Sequence, residues 1–353
     1  MRIAIFIPNI KNVCGRSTIG KTLIKTLASD GNSVFVITNP ESDLSICSKL
    51  NVKTLVIPCN PSDKSLISLT KCLLSIQQFS RINQIQIINA HHRWAETIAL
   101  IARMLFKLKI KVVTTVHSYT TDHKLVSYRA DKLVAVSEFI RDHLINYYSR
   151  KSANVELVYN GVKKLDQTSA VTEVYAKKII LGFGRLEYEK GFDILICALN
   201  VLRNELKNYE LIIVGDGDEK KRLNELAVFY GINMRMYHSN STPWEWIERA
   251  SIVVIPSRME SLGLVVLEAG SARKCVIASS VGGIREIIKH NQSGLLFERE
   301  NFSQLAELLK IVINNGNLAF RFGEALKNNV KEKFLAEKMT KNYTNLFNHL
   351  LNS

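Results

Sequence analysis

Residues 251–270 read SIVVIPSRMESLGLVVLEAG. SIVVIPS is an apolar run of strand length, SRMES reads as its exit loop, and GLVVLEAGSAR is predicted as a helix beginning near Ser261 to Gly263. A continuous apolar strand feeding a helix is the unit from which a parallel sheet covered on both faces is built. Two carboxylates, Glu260 and Glu268, stand inside this otherwise apolar segment. An ionised carboxylate in apolar surroundings is costly unless something binds it. The pair therefore asks for a ligand, an internal partner, or a capping role.

The same rhythm extends in both directions. RIAIFIP (2–8), SVFVIT (33–38), KTLVIP (53–58), IQIINA (85–90), KVVTTVH (111–117) and KLVAVS (132–137) are predicted strands. Helical spacing lies between several of them, as in TIGKTLIKTLASDG and TIALIARMLFKLK. The pattern restarts with KIILGFG (178–184), YELIIVG (209–215), NMRMYH (233–238), SIVVIPS, KCVIASS (274–280) and SGLLF (293–297). The fold class is therefore α/β, with two doubly wound domains in tandem, and 353 residues suit two cores better than one. Periodicity fades in 160–177, which is the expected join, and beyond about residue 300 the chain reads as helical.

Charge separates the halves. Residues 1–164 hold 23 Lys and Arg against 10 Asp and Glu, or +13; the rest hold 24 against 22, or +2. The first half should approach something anionic (nucleic acid, a headgroup surface, a phosphorylated substrate), or else carry a solvated basic surface. No run of 18 apolar residues predicts a spanning helix. MRIAIFIPNI lacks a small-residue cleavage site and reads as a first strand rather than a secretory signal. Six cysteines without C-x-x-C spacing favour a reduced, cytosolic chain.

Ligands of open parallel sheets sit beyond the carboxyl ends of the strands, so the exit loops carry the candidates. The N–H groups of Leu262, Gly263 and Leu264, at the start of the predicted helix, form a site for a diphosphate. Glu260 is a candidate to grip a sugar hydroxyl and Glu268 to accept from ribose hydroxyls. In GFGRLEYEKGFD (182–193), Arg185 and Lys190 suit an anion, or ordinary surface charge. GDGD (215–218) contains a D-x-D, read here as a strand exit with Asp218 as helix N-cap rather than as a metal site. Thr242, Pro243 and Glu245 look like a capping box, and His238 and Ser239 before it could meet a base. His91, His92, His117 and His123 are a weak zinc candidate; His117 alone ends a strand at the expected site.

Taken in order, GFGRLEYEKGFDILICAL, YELIIVGDGDEKKRL, MESLGLVVLEAG and VGGIREIIKHNQSGLLF, with VYNGV and ADKLVAVSEFIRDHL before them, resemble a retaining glycosyltransferase of the family 4 type. The resemblance implies the GT-B architecture: two Rossmann-like doubly wound domains facing a cleft, with C-terminal helices. It implies an acceptor-binding domain over 1–165, a nucleotide-sugar domain over 166–337, and a helix, 338–353, packing back toward the first. It implies a nucleotide-diphosphate sugar, UDP- or GDP-linked, with Arg185 and Lys190 on the diphosphate, Glu260 near the donor sugar and Glu268 on the ribose. Gly184, Ser261, Leu262, Gly263, Leu264, His238 and Ser239 complete the implied donor site, and His117 is implied as a contact at the catalytic centre. The family's glycine-rich first loop corresponds to PNIKNVCGRSTIGKTL, where Cys14 replaces a first glycine; Gly15 carries over, and Arg16 as a phosphate contact.

The expected reaction moves a sugar, with retention, to a hydroxyl of a glycan or lipid-linked acceptor in bacterial lipopolysaccharide or capsule synthesis. No enzymic nucleophile is evident, so same-face attack assisted by the leaving phosphate is favoured over double displacement. No cofactor or essential metal is expected. ALIARMLFKLKIK (99–111) interleaves cations with bulky apolar residues, as a peripheral protein at the inner face of the membrane would. Three alternatives remain open: GRSTIGKT (15–22) literally matches a P-loop, the basic half could hold nucleic acid, although no binding motif for it stands out, and a sugar-nucleotide epimerase would share the architecture.

Overall fold

A computed structural model describes residues 1–11, 15–60, 62, 65–163, 178–238 and 243–353. Cys14, Ser239, Thr242 and most of the expected join lie outside them. The chain divides into two compact units: Met1–Gly161 together with Ala336–Ser353, and Val162–Leu335.

The first unit holds β1 (Arg2–Phe6), β2 (Ser33–Thr38), β3 (Lys53–Val56), β4 (Ile87–Ala90), β5 (Lys111–Val116), β6 (Lys132–Ala135) and β7 (Val155–Leu157). All pair in parallel, in the order β3-β2-β1-β4-β5-β6-β7. The second holds β8 (Lys178–Phe183), β9 (Tyr209–Val214), β10 (Met234–Tyr237), β11 (Ile252–Ile255), β12 (Cys275–Ser279) and β13 (Leu295–Phe297), ordered β10-β9-β8-β11-β12-β13 and also parallel. Both are the doubly wound order of a Rossmann sheet. Their central strands are buried on both faces, as IAIF and IVVI require. The chain reverses direction across each sheet at one point, between β1 and β4 and between β8 and β11, and ligands of such sheets bind there.

β7 adds a seventh strand where six were predicted. VEL is too short to announce itself, and the sheet edge supplies its ladder. The C-terminal helix Ala336–Asn352 belongs to the first unit, burying Met339, Tyr343, Leu346, Phe347 and Leu350 there. Thr340 bonds Thr26 of the helix Gly15–Ser29 at 2.6 Å.

Three local expectations are corrected. GRSTIGKT does not form a P-loop: the helix already begins at Gly15, so the stretch that would have to loop around a phosphate before its helix is itself helical. Gly20 is small because a Cβ there would lie 2.1 Å from Ile7 Cδ1, and Lys21 pairs with Asp43 at 2.7 Å. Asp218 does not cap its helix, which starts at Lys220 with Glu219 before it and no side-chain cap; the approach is a turn, closed by Lys220 N–H on Gly217 O at 3.2 Å and held by Glu219 N–H on Leu186 O at 3.0 Å. Finally, the helical spacing of TIALIARMLFKLK (97–109) overruns its helix, which stops at Phe106; Lys107 turns left-handed (φ 49°), and Lys111 opens β5. Arg103 within it is spent on Asp131.

Candidate functional site

In the second unit the exit loops of β8 and β11 flank the reversal point, and one arginine ties them together. Arg258, buried in the β11 loop, reaches the β8 loop with its fork: Nη1 and Nη2 each donate to Asp193 at 3.0 Å, and Nη1 also donates to Tyr188 O at 2.6 Å. Its Nε donates to Glu300 at 2.7 Å and its plane stacks on Tyr188 at 3.8 Å. Burial pushes the Asp193 carboxyl up, and the hydrogen bonds and charge of Arg258 more than reverse this, leaving it below the ordinary range. Sequence reading missed Arg258. Its only signal was an arginine directly between a buried strand and Glu260.

The tie brings two predicted residues together. Lys190, on the single turn Tyr188–Lys190, donates to Glu260 Oε1 at 2.5 Å, and Ser257 Oγ donates to the same oxygen at 3.1 Å. Gly191 (φ 64°) lets the chain turn from Lys190 into the helix Phe192–Val201; a Cβ there would lie 2.1 Å from Pro256 O, across the loop junction. Gly263 (φ 100°) likewise starts the helix Leu264–Ser271. The N–H groups of Leu262, Gly263 and Leu264 reach no main-chain carbonyl among the described residues, which leaves donors pointing out of the helix start. Gly184 ends β8, its N–H donating to Val214 O at 3.1 Å. Arg185 is exposed and pairs with Glu187.

Glu268 lies on the second turn of the helix Leu264–Ser271, 9% exposed among Val266, Leu267 and Ala269. It has no hydrogen-bond or charge partner among the described residues, and burial alone raises its carboxyl from the ordinary 4.5 to about 7. His238 is exposed at the end of β10, its Nδ1 2.5 Å from Asp216 Oδ1. The helix Pro243–Arg249 follows, with proline at its first position.

The first unit presents a second group at its own reversal point. His91 follows β4 and His117 follows β5, their rings side by side, 25° from coplanar, with His91 Nδ1 2.8 Å from His117 Nε2. Burial pushes both imidazoles well below their ordinary value, His91 to about 3, and the Arg16 guanidinium adds to the effect. Arg16 is half-buried near the start of the helix Gly15–Ser29, and its shielded Nε finds no acceptor among the described residues. His92 caps its own helix through Trp94 N, and His123 is exposed beside Asp122, so neither joins this pair as a ligand set. Glu96, buried, accepts from Tyr128 N and Ala130 N at 2.9 and 2.8 Å, pinning the chain between β5 and β6.

Comparison with known proteins matches these halves separately. The model of Glycosyltransferase Family 4 matches residues 17–164, and that of Glycosyl transferases group 1 matches 166–329. An uncharacterised glycosyltransferase of Methanocaldococcus jannaschii is 28% identical over 63% of this chain, and the match spans 61% of that relative's length. The O-antigen biosynthesis glycosyltransferase WclY of Escherichia coli is 24% identical, with 99% of each chain covered. Among solved structures, Anabaena HepE in complex with UDP and glucose superposes with a TM-score of 0.86 at 18% identity, covering 99% of each chain, and so shares the two-domain GT-B fold. With two adjoining family models spanning nearly all of its two Rossmann-like units, the chain belongs to the group 1 glycosyltransferases.

Proposed function

We propose that this glycosyltransferase moves a sugar, with retention, from a nucleotide-diphosphate sugar to a hydroxyl of a glycan or lipid-linked acceptor in surface-polysaccharide assembly. The observation that carries the reading is Glu268: a buried carboxyl with no partner among the described residues, one helix turn beyond N–H groups that reach no main-chain carbonyl among them. A ribose supplies the two hydroxyl donors that such a carboxylate lacks, and the diphosphate next to it accepts from the helix start. Lys190 and Arg185 neutralise the leaving diphosphate as the C1–O bond breaks. The acceptor oxygen bonds to C1 on the same face, and its proton passes to the departing phosphate oxygen. Neutralisation is thereby assigned to side chains, so turnover should persist in EDTA. HepE binds UDP, and the O-antigen role belongs to WclY; both favour a UDP-linked donor and a surface glycan here.

The acceptor would be met at a membrane face. Among the described residues no helix is long and apolar enough to cross a membrane. The helix Leu66–Ile82 contains no acid and exposes Leu74 and Ile82; Met104 and Leu105 are exposed on the helix Arg93–Phe106, and Arg81 ties the two helix ends by donating to Phe106 O at 3.3 Å. Exposed Arg81 and Lys107 stand beside them, a composition suited to the inner, anionic leaflet.

The test is a panel of UDP-, GDP- and ADP-sugars scored for protection against thermal unfolding, on the wild type and on Lys190→Met, followed by NMR of the product's anomeric configuration. Protection by one donor that weakens in Lys190→Met is expected. No protection by any member, or an inverted product, would overturn the reading.

A further inference from the structure

His117 stands at the end of a buried hydrogen-bonded chain that nothing in the reaction scheme requires. Tyr343, on the C-terminal helix and fully buried, has its hydroxyl 2.9 Å from Thr115 Oγ1. Thr115 Oγ1 donates to Asn89 Oδ1 at 3.1 Å, Asn89 Nδ2 lies 3.1 Å from His91 Nε2, and His91 Nδ1 lies 2.8 Å from His117 Nε2. Four of these five residues lie on or directly after β4 and β5; the fifth arrives from 228 residues away.

Such a chain can be polarised in two ways. In one, every donor points toward His117: Tyr343 gives to Thr115, Thr115 to Asn89, the amide NH2 to His91 Nε2, and His91 Nδ1–H to His117 Nε2. In the other every bond is reversed, and the Tyr343 hydroxyl must find an acceptor elsewhere. Among the described residues Tyr343 has no partner but Thr115. An orphaned buried O–H is costly, so the first polarity wins. Both imidazoles are neutral at working pH, since burial holds His91 to about 3 and lowers His117 as well, so each carries one ring proton.

We infer that Tyr343, Thr115, Asn89 and His91 are positioning residues that hold His117 in its Nδ1–H tautomer. His117 is half-buried, and its Nδ1 makes no hydrogen bond among the described residues. The chain therefore fixes which nitrogen is available, and presents it as a donor to a hydroxyl or ring oxygen rather than as a base. That functional consequence rests on the reading of His117 as a contact at the reaction centre; the tautomer does not.

The experiment is long-range proton–nitrogen NMR of the full chain with nitrogen-15 histidine at pH 7, the His117 signals being assigned by their loss in His117→Gln. The wild type should show one tautomer, protonated at Nδ1. Tyr343→Phe leaves the Thr115 hydroxyl with Asn89 Oδ1 as its one acceptor among the described residues, so a reversed chain would orphan Thr115 in place of Tyr343 and the tautomer should be kept. Thr115→Val with Tyr343→Phe removes both hydroxyls without orphaning either, so the fold persists while the Asn89 amide is free to flip; His117 should become a mixture of tautomers. An Nε2–H tautomer or a mixture in the wild type, or an unchanged spectrum in the double variant, would overturn the inference, whatever reaction the protein performs. A single Nδ1–H tautomer together with full turnover in His117→Gln would spare the chain and overturn the role given to His117.

Discussion

Replacing Glu268 by glutamine should make the protein more stable and less able to bind its donor. The carboxyl is raised from 4.5 to about 7 by burial alone. A carboxyl with the higher pKa in the folded state binds its proton more tightly there, so it costs nothing below pH 4.5 and progressively more as pH rises to 7. Above pH 7 the full penalty is about 3 kcal/mol, from about 1.4 kcal/mol for each factor of ten. Glutamine has the same shape and no charge to desolvate. Comparing the two proteins by urea unfolding, the stability gained on substitution should be about 2–3 kcal/mol larger at pH 8 than at pH 5. Donor affinity should fall roughly 10- to 100-fold at pH 8, the worth of charge-assisted bonds to ribose hydroxyls. A stability difference that does not change between pH 5 and pH 8 would refute the assignment of an unpartnered, ionising carboxyl. A pH-dependent gain with unchanged donor affinity would instead remove Glu268 from the donor site and leave its burial unexplained.

Other substitutions probe the frame around it. Arg258→Ala takes the fork away from the half-buried Asp193 carboxylate, leaves it only Arg222 at 3.3 Å, and should cost about 2–3 kcal/mol in unfolding experiments, with Arg258→Lys recovering only part because it lacks the fork that reaches both Asp193 oxygens; a loss below about 1 kcal/mol would mean the loops hold without it. Gly191→Ala combines a left-handed backbone with a carbonyl 2.1 Å from the new Cβ and should cost about 2–4 kcal/mol, a loss that circular dichroism melts would register. Leu74→Glu with Ile82→Glu should lower sedimentation with anionic vesicles roughly tenfold while leaving donor binding intact; equal sedimentation would place the membrane face elsewhere.

The strands were legible because their burial on both faces forces unbroken runs such as IIL, LIIV and IVVI, which leave little room for another reading. Helix starts were less so. Asp218 has the chemistry of a cap, but it sits in a turn whose N–H groups go to Leu186 O and Gly217 O, and the helix starts only at Lys220. GRSTIGKT matched a phosphate loop letter for letter, while its glycine serves contact with Ile7. Within the site, Glu260 and Lys190 could each be proposed from its own loop. That they share a proton-donor contact could not, because 70 residues separate them and no local periodicity encodes the pair. Arg258, Asp193, Thr115 and Tyr343 escaped notice for the same reason: each is ordinary in its own stretch and acquires meaning only from a partner that the sheet topology delivers.

The closing of the first unit by residues 336–353 sets a timetable for synthesis. Helix Ala336–Asn352 fills part of that unit's core, so residues 1–161 emerge from the ribosome with Tyr343, Phe347 and their neighbours still unmade. The 174 residues from Val162 to Leu335 are translated in between, which at roughly 5–20 residues per second is a wait of about 10–35 s. During that interval the apolar face awaiting the helix is open, and the unit encoded second can finish folding first. A nascent chain of this protein is thus most vulnerable at its beginning, and chaperone contacts should concentrate on the unit that was made earliest.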